Sequence, residues 1–237
     1  MRITTVLFDL DGTLLPMDQD VFIQTYLGRL AEHMVPYGYE QAKMQKTLWS
    51  STADMIRNET GKPNEEAFWA CMSRTYGPNI RTEAARFDEF YQVGFPGVQS
   101  VCGYDPRAAQ AVAVCKAKGL QVALATNPFF PATATLQRAR WAGLDPADFA
   151  LITTYENSCG CKPNPAYYRQ VLEKLGATPA ECLMVGNDVD EDMMARELGM
   201  EVFLLTPCMI NRKNKDTGSY PQGGFDELLA YIQALNE

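Results

Sequence analysis

Five short runs of continuous apolar sequence constrain this chain more than any other feature: ITTVLFD (3–9), LQVALAT (120–126), DFALITT (148–154), ECLMVGN (181–187) and MEVFLLT (200–206). A strand with one face in water alternates apolar and polar residues, whereas an unbroken apolar run bounded by Gly, Pro, Asp or Asn suits a strand covered on both faces. Between these runs, DPRAAQAVAVCKAKG, PATATLQRARWAG, NPAYYRQVLEKLG and EDMMARELG carry helical patterns that end at glycine, with Pro106 and Pro165 near helix starts. Strand, helix and strand in repetition predict an α/β fold with a doubly wound parallel sheet.

That rhythm breaks between the first run and the second. VFIQTYLGRLAEHM, YEQAKMQKTLWSSTADMI, NEEAFWACMSRTYG and TEAARFDEFYQVGF all place apolar residues three and four apart, and no strand pattern stands among them. A chain of 237 residues is longer than one average domain and shorter than two. The expected division is a core of residues 1–15 and 97–237 with an all-helical insertion over 16–96. A polar loop, NRKNKDTGSYPQGG (211–224), precedes a last helix, FDELLAYIQAL.

Composition narrows the function classes. With a net charge of −8 and no stripe of Lys and Arg, nothing in the long-range field draws in polyanions, so no nucleic-acid partner is expected. The apolar start of the chain is short and ends in acids, which fits neither a signal peptide nor a membrane span. Seven scattered cysteines, an odd number, point to reduced thiols in a cytoplasmic setting. Cys159 and Cys161 form the one close pair and lack the further ligands that a zinc site needs, while His33 reads as a helix-end or surface residue. Oligomeric state has no signal in the sequence.

The chemically suggestive residues fall at the carboxyl ends of the predicted strands, where open α/β sheets bind ligands. Asp9 and Asp11 follow the first strand, Thr126 and Asn127 the second, and Asp188 and Asp192 the fourth; Lys162 lies a short loop beyond the third. Taken singly, each has a structural explanation as a turn or a helix cap. Together they would set several carboxylates against one another unless a divalent cation neutralised them, and oxygen ligands of this kind suit Mg²⁺.

Phe8-Asp9-Leu10-Asp11-Gly12-Thr13-Leu14 resembles the first motif of the haloacid dehalogenase superfamily. Ala125-Thr126-Asn127 is similar to its second motif, Lys162-Pro163-Asn164-Pro165 to its third, and Val185-Gly186-Asn187-Asp188-Val189-Asp190-Glu191-Asp192 to its fourth. All four stand in the family's order, and the helical insertion resembles its α-helical type 1 cap. The fourth motif departs in one respect: Asn187 stands between Gly186 and Asp188, so either Asn187 or Asp188 could fill the metal position, and a carboxylate favours Asp188.

The resemblance implies a phosphohydrolase acting on a small phosphorylated metabolite. Asp9 would be the nucleophile and Asp11 the general acid and base, with Lys162 completing the catalytic set. Leu10, Thr126, Asn127 and Lys162 would hold the phosphoryl group, and Mg²⁺ would be bound by Asp9, the main-chain carbonyl of Asp11 and Asp188. Asn187 and Asp192 would support them, Asp192 by orienting Lys162. A dehalogenase or a phosphomutase of the same superfamily, or a non-enzymatic phospho-acceptor domain, are the competing readings. The helical block is expected to act as a mobile lid, with Leu15-Pro16 and Gly94 to Gly97 as its crossings.

Overall fold

In the computed structural model, which describes residues 2–236, all five apolar runs form strands of one parallel sheet. Met1 and Glu237, the outer limits of the expected core domain, lie outside the described residues. The strands are β1 (Thr5–Phe8), β2 (Gln121–Leu124), β3 (Leu151–Ile152), β4 (Cys182–Gly186) and β5 (Glu201–Leu205). A two-residue strand, β6 (Gln222–Gly223), joins the edge from within the segment expected to be loop, and the order is β3-β2-β1-β4-β5-β6. Its residues are polar and half-buried and carry no apolar signal; only main-chain pairing of Leu204 with Gln222 and of Leu205 with Gly223 makes it a strand.

The eight α-helices among the described residues are α1 (Gln19–His33), α2 (Gln41–Ile56), α3 (Asn64–Tyr76), α4 (Ala84–Val93), α5 (Pro106–Ala117), α6 (Ala132–Trp141), α7 (Pro165–Leu175) and α8 (Phe225–Ala234). The ends of α7 show how local sequence sets them. The Asn164 side chain accepts from the Ala166 N–H at 2.9 Å, Pro165 takes the first helical position, and Gly176 closes the helix in the left-handed conformation at φ 63°. The expected helix over EDMMARELG is instead a 3₁₀ segment, Met193–Leu198. Only six residues separate Asp192, whose carboxylate is tied to Lys162 and to the Asp188 N–H, from left-handed Gly199, which is too short a span for a stable α-helix.

Side chains alternate across the strands with period two, so the sheet is covered on both faces. Val6, Phe8, Leu124, Val185 and Phe203 face the layer containing α5, α6 and α8. Leu7, Ala123, Met184, Val202 and Leu204 face α7 and Met193–Leu198. The first apolar cluster does not stop at the sheet: Phe22, Tyr26, Leu27, Phe90 and Phe95 of the helical block belong to it, joined through Phe130. Tyr26 centres this junction, 4.9 Å from the Phe130 ring and hydrogen-bonded through its hydroxyl to that of Tyr91 at 2.7 Å. Each large side chain buried here stabilises by roughly 1.5–3 kcal/mol, so the block is held to the sheet by several such contributions. No helix among the described residues is long and apolar enough to cross a membrane.

Candidate active site

Because β1 lies between β2 and β4, the strand order reverses at its carboxyl end and opens a crevice there. The register sets Phe8 opposite Leu124 and Val185, and the next residue, Asp9, donates its N–H to the Val185 carbonyl at 2.9 Å. Both carboxylate oxygens of Asp9 are engaged. Oδ1 accepts from Lys162 Nζ at 2.8 Å, and Oδ2 accepts from the Thr13 hydroxyl at 3.0 Å. Lys162 also donates to Asp192 Oδ1 at 2.7 Å, which makes it the bridge between two acids.

Lys162 is 2% exposed, and burial on its own lowers an ammonium pKa. Here the carboxylates of Asp192 and Asp9 outweigh the burial, and the Lys162 ammonium is held well above the ordinary lysine range. Burial pushes the Asp192 carboxyl up, and Lys162 pulls it back. A buried cation of this kind is both the neutraliser of Asp9 and a ready partner for a second anion.

The β2 end is fixed from below. The Thr126 carbonyl accepts from the Thr153 hydroxyl at 2.6 Å and from the Tyr167 hydroxyl at 3.0 Å. Asn127 then ties two loops together: its Oδ1 accepts the Lys162 N–H at 3.0 Å, and its Nδ2 donates to Glu191 Oε2 at 2.7 Å. The side chain of Leu10 is fully buried in the apolar cluster, so only its main chain can face a ligand.

Asp11 has a partner that the sequence does not advertise. Its Oδ2 forms an ion pair with Arg138 of α6, whose guanidinium is fully buried and lies 4.0 Å from the centre of the Phe130 ring. The other oxygen, Oδ1, is buried without a hydrogen-bond partner. Burial pushes the Asp11 carboxyl up, Arg138 lowers it, and the net direction is upward. Ala134, Arg138 and Ala142, the last just past the end of α6, stand four residues apart and are all fully buried, so the arginine is turned inwards among small core residues.

At the end of β4, Asn187 is spent on structure. Its Oδ1 lies 2.9 Å from the Thr13 hydroxyl and shares that one proton with Asp9 Oδ2, and its Nδ2 donates to the Cys208 carbonyl at 2.7 Å, bracing the loop that carries Asp9. Gly12 makes this approach possible: it holds φ at 83°, and a Cβ there would fall 2.3 Å from Asn187 Nδ2. Asp188 uses Oδ1 to accept the Asp190 and Glu191 N–H groups, both at 2.8 Å. Glu191 is a further acid that the sequence reading passed over; burial, followed by Asp188 and Asp192, pushes its carboxyl up to about 8.

Asp9, Asp11, Thr126, Asn127, Asn187, Asp188, Glu191 and Asp192 line one cavity, with Lys162 reaching Asp9 from within the fold. Gln19, Phe22 and Ile23 of α1 and Phe129 and Phe130 of the loop after β2 close it over, leaving a volume of about 20 Å³, room for about one water. No group of three or more His, Cys, Asp or Glu side chains in metal-holding proximity occurs among the described residues. Two carboxylates and a carbonyl are nevertheless a hard-oxygen donor set of the kind Mg²⁺ takes, and Asp11 Oδ1 is a buried oxygen with no hydrogen-bond partner. The residues present therefore fit such an ion. Cys159 and Cys161 are free thiols, and His33 ends α1 with its ring nitrogen 3.1 Å from the Arg86 carbonyl.

A crevice at the switch point of a parallel sheet, with acids gathered round one buried lysine, defines a doubly wound α/β protein with the ligand-binding crevice that such sheets form at their carboxyl ends. Residues 3–199 match the family model described as haloacid dehalogenase-like hydrolase, and the chain belongs to that family of hydrolases. It is 27% identical over 206 residues to the probable phosphatase IndB of Dickeya dadantii, covering 85% of this chain and 80% of that protein. Among solved structures, it resembles a HAD phosphatase from Thermococcus onnurineus with a TM-score of 0.59 at 17% identity, covering 98% of each chain. A 2-haloacid dehalogenase from Pseudomonas syringae gives a TM-score of 0.63 at 19% identity, again over 98% of each chain. These structural likenesses establish the fold, which phosphatases and dehalogenases share, so the chemistry must be argued from the site.

Proposed function

We propose that this hydrolase is a Mg²⁺-dependent phosphatase of small phosphate monoesters and that Asp9 is its nucleophile. The observation that carries the reading is the setting of Asp9: one oxygen on Lys162, the other on Thr13, a second acid two residues on and Asp188 across the cavity. The phosphatase name of the Dickeya relative supports it. An Asp9 oxygen attacks phosphorus while the ester P–O bond breaks, and Asp11 gives its proton to the departing alkoxide. Asp11 then takes a proton from water, whose oxygen attacks the acyl phosphate and frees Asp9 and phosphate. This order requires Asp11 to begin protonated, in keeping with the upward push of burial on its carboxyl.

Lys162, Thr126, Asn127 and the main chain at Leu10 hold the phosphoryl oxygens, where negative charge spreads in the transition state. Asp9, the Asp11 carbonyl and Asp188 would hold Mg²⁺, which would supply neutralisation between the two anions that must meet. Asp192 orients Lys162, and Asn187 braces the first loop. Residues 16–96 serve as a helical cap on a core of residues 1–15 and 97–237. The cavity of about 20 Å³ is too small for an ester, so the cap must open for substrate, and the open groove of about 680 Å³ beside Gln19 and Ile210 is the route in. Seven free cysteines accord with a reducing, cytoplasmic setting.

A dehalogenase would use Asp9 but has no need of Asp11 or of the acids at the end of β4. The test is a hydrolysis panel of sugar phosphates, nucleotides, phosphoglycolate, a chromogenic aryl phosphate and a 2-haloacid, run with Mg²⁺ and with a chelator. Phosphate release from a small monoester that stops with the chelator is the expected result. Halide release that survives the chelator, with no phosphate release, would sink the proposal.

A further inference from the structure

The helical block reaches the loops that carry Asn127 and Lys162 at a point far in sequence from its two chain crossings. Asn64, the first residue of α3, is fully buried although it is polar. Its Nδ2 donates to the Pro128 carbonyl and to the Gly160 carbonyl, each at 3.2 Å, and lies 3.3 Å from Cys161 Sγ. Its Oδ1 accepts from Asn58 Nδ2 at 2.9 Å, and its main-chain N–H donates to the Ser158 carbonyl at 2.8 Å. The next residue, Glu65, donates its N–H to the Tyr155 carbonyl at 3.0 Å.

The positions of these acceptors matter more than their number. Pro128 directly follows Asn127, and Cys161 directly precedes Lys162. The two segments meet where the Lys162 N–H donates to Asn127 Oδ1 at 3.0 Å. One side-chain amide of the helical block therefore spans both loops that carry the phosphoryl-holding groups. An amide suits the position because it offers two N–H donors and an acceptor from one short side chain, and a carboxylate of the same shape cannot donate. In a buried setting, a half-made network of this kind is worse than a complete or a fully separated one, so the contact tends towards two states.

We propose that Asn64 is a positioning residue through which docking of the helical block and placement of Asn127 and Lys162 become one event. The kinetic side of this inference rests on the phosphatase reading; the structural side does not. If the block swings away, Asn64 leaves with it, and the Pro128 and Gly160 carbonyls lose their donor. The loops then relax, and phosphate affinity falls until the block returns.

The test compares Asn64→Ala and Asn64→Asp with Arg81→Ala, a change on the exposed surface of the same block. Hydrogen exchange of the amides in segments 126–131 and 158–164 is measured first, with neither substrate nor metal. Both Asn64 variants should speed exchange in these two segments selectively, and Arg81→Ala should not. In turnover of an aryl phosphate too small to need the cap, kcat should fall by about ten- to a hundredfold in both, the scale expected when catalytic groups are misplaced by about an ångström. The inhibition constant for inorganic phosphate should rise with it. If Asn64→Ala does not fold, Asn58→Ala, which removes the donor to Asn64 Oδ1 along with the local bonds of Asn58 to Lys62 and Thr60, should show the same pattern at smaller amplitude. Native exchange in both segments, a uniform rise across the whole chain, or full activity restored by Asn64→Asp would overturn the inference. If the native protein hydrolyses no phosphate ester, the proposed function fails, while the exchange comparison still decides the coupling.

Discussion

The floor and the roof of the crevice are made of opposite materials. The floor, at the ends of β1, β2 and β4, is a buried network in which Asp9, Lys162 and Asp192 each lie within 2.8 Å of a charged partner. The roof is Phe22, Ile23, Phe129 and Phe130, backed by the Tyr26 and Tyr91 pair. A buried charge left without its partner is costly, whereas apolar side chains tolerate exchange for others of similar volume. The floor is therefore rigid in chemistry and the roof adaptable in shape, a division that suits one reaction applied to a choice of substrates.

The sharpest way to test the floor is to remove the buried arginine behind it and, for contrast, an exposed one on the outer face of the helical block. Arg138→Met keeps length and apolar contact but removes the buried guanidinium that bonds Asp11 and the Thr135 hydroxyl, and losing hydrogen bonds of a buried charged group costs about 1.5–3 kcal/mol. Urea unfolding should show a loss of that size. The same operation on the outside of the helical block, Arg81→Ala, removes a pair with Glu66 whose side chains are 48% and 46% exposed, and should cost less than about 1 kcal/mol. Equal losses at the two sites would contradict the role given to buried charge in the floor.

A smaller effect concerns Glu191. Its folded pKa of about 8 lies above the ordinary 4.5, so the folded protein holds this proton more tightly than the unfolded chain does. The stabilisation is complete below about pH 4.5 and is lost as pH rises through about 8. Glu191→Gln keeps an oxygen for Asn127 and removes the titration. With a chelator present, the melting temperature of the variant relative to the native protein should therefore climb between pH 5 and pH 8. A difference that stays constant across that window would place the Glu191 carboxyl in a more solvated setting than the one described.

What could be read from the sequence follows the same division. Strands buried on both faces announce themselves as apolar runs, so β1 to β5 and the residues at their ends were legible, as were α1 to α4 from their spacing. β6 was not, because Gln222 and Gly223 join the sheet through main-chain bonds that leave no mark on side-chain choice. The segment Met193–Leu198 reads as a helix by pattern and is tightened by the fixed points at either end. Arg138 and Asn64 escaped notice for a shared reason: a charged or amide residue on a helix is ordinarily a solvated one. Only the packing shows that Arg138 is turned inwards onto Asp11 and Asn64 onto the two loops.

The central claim, that Asp9 carries the phosphoryl group, is tested most directly by trapping it there. Turnover of the best substrate in the panel is quenched with acid, the acyl phosphate is reduced with borohydride, and the peptides are mapped by mass spectrometry. Reduction turns an aspartyl-phosphate into homoserine, so the account predicts homoserine at position 9, dependent on Mg²⁺ and missing from Asp9→Asn. Phosphate release at the native rate in Asp9→Asn, or homoserine at any other aspartate, would contradict it.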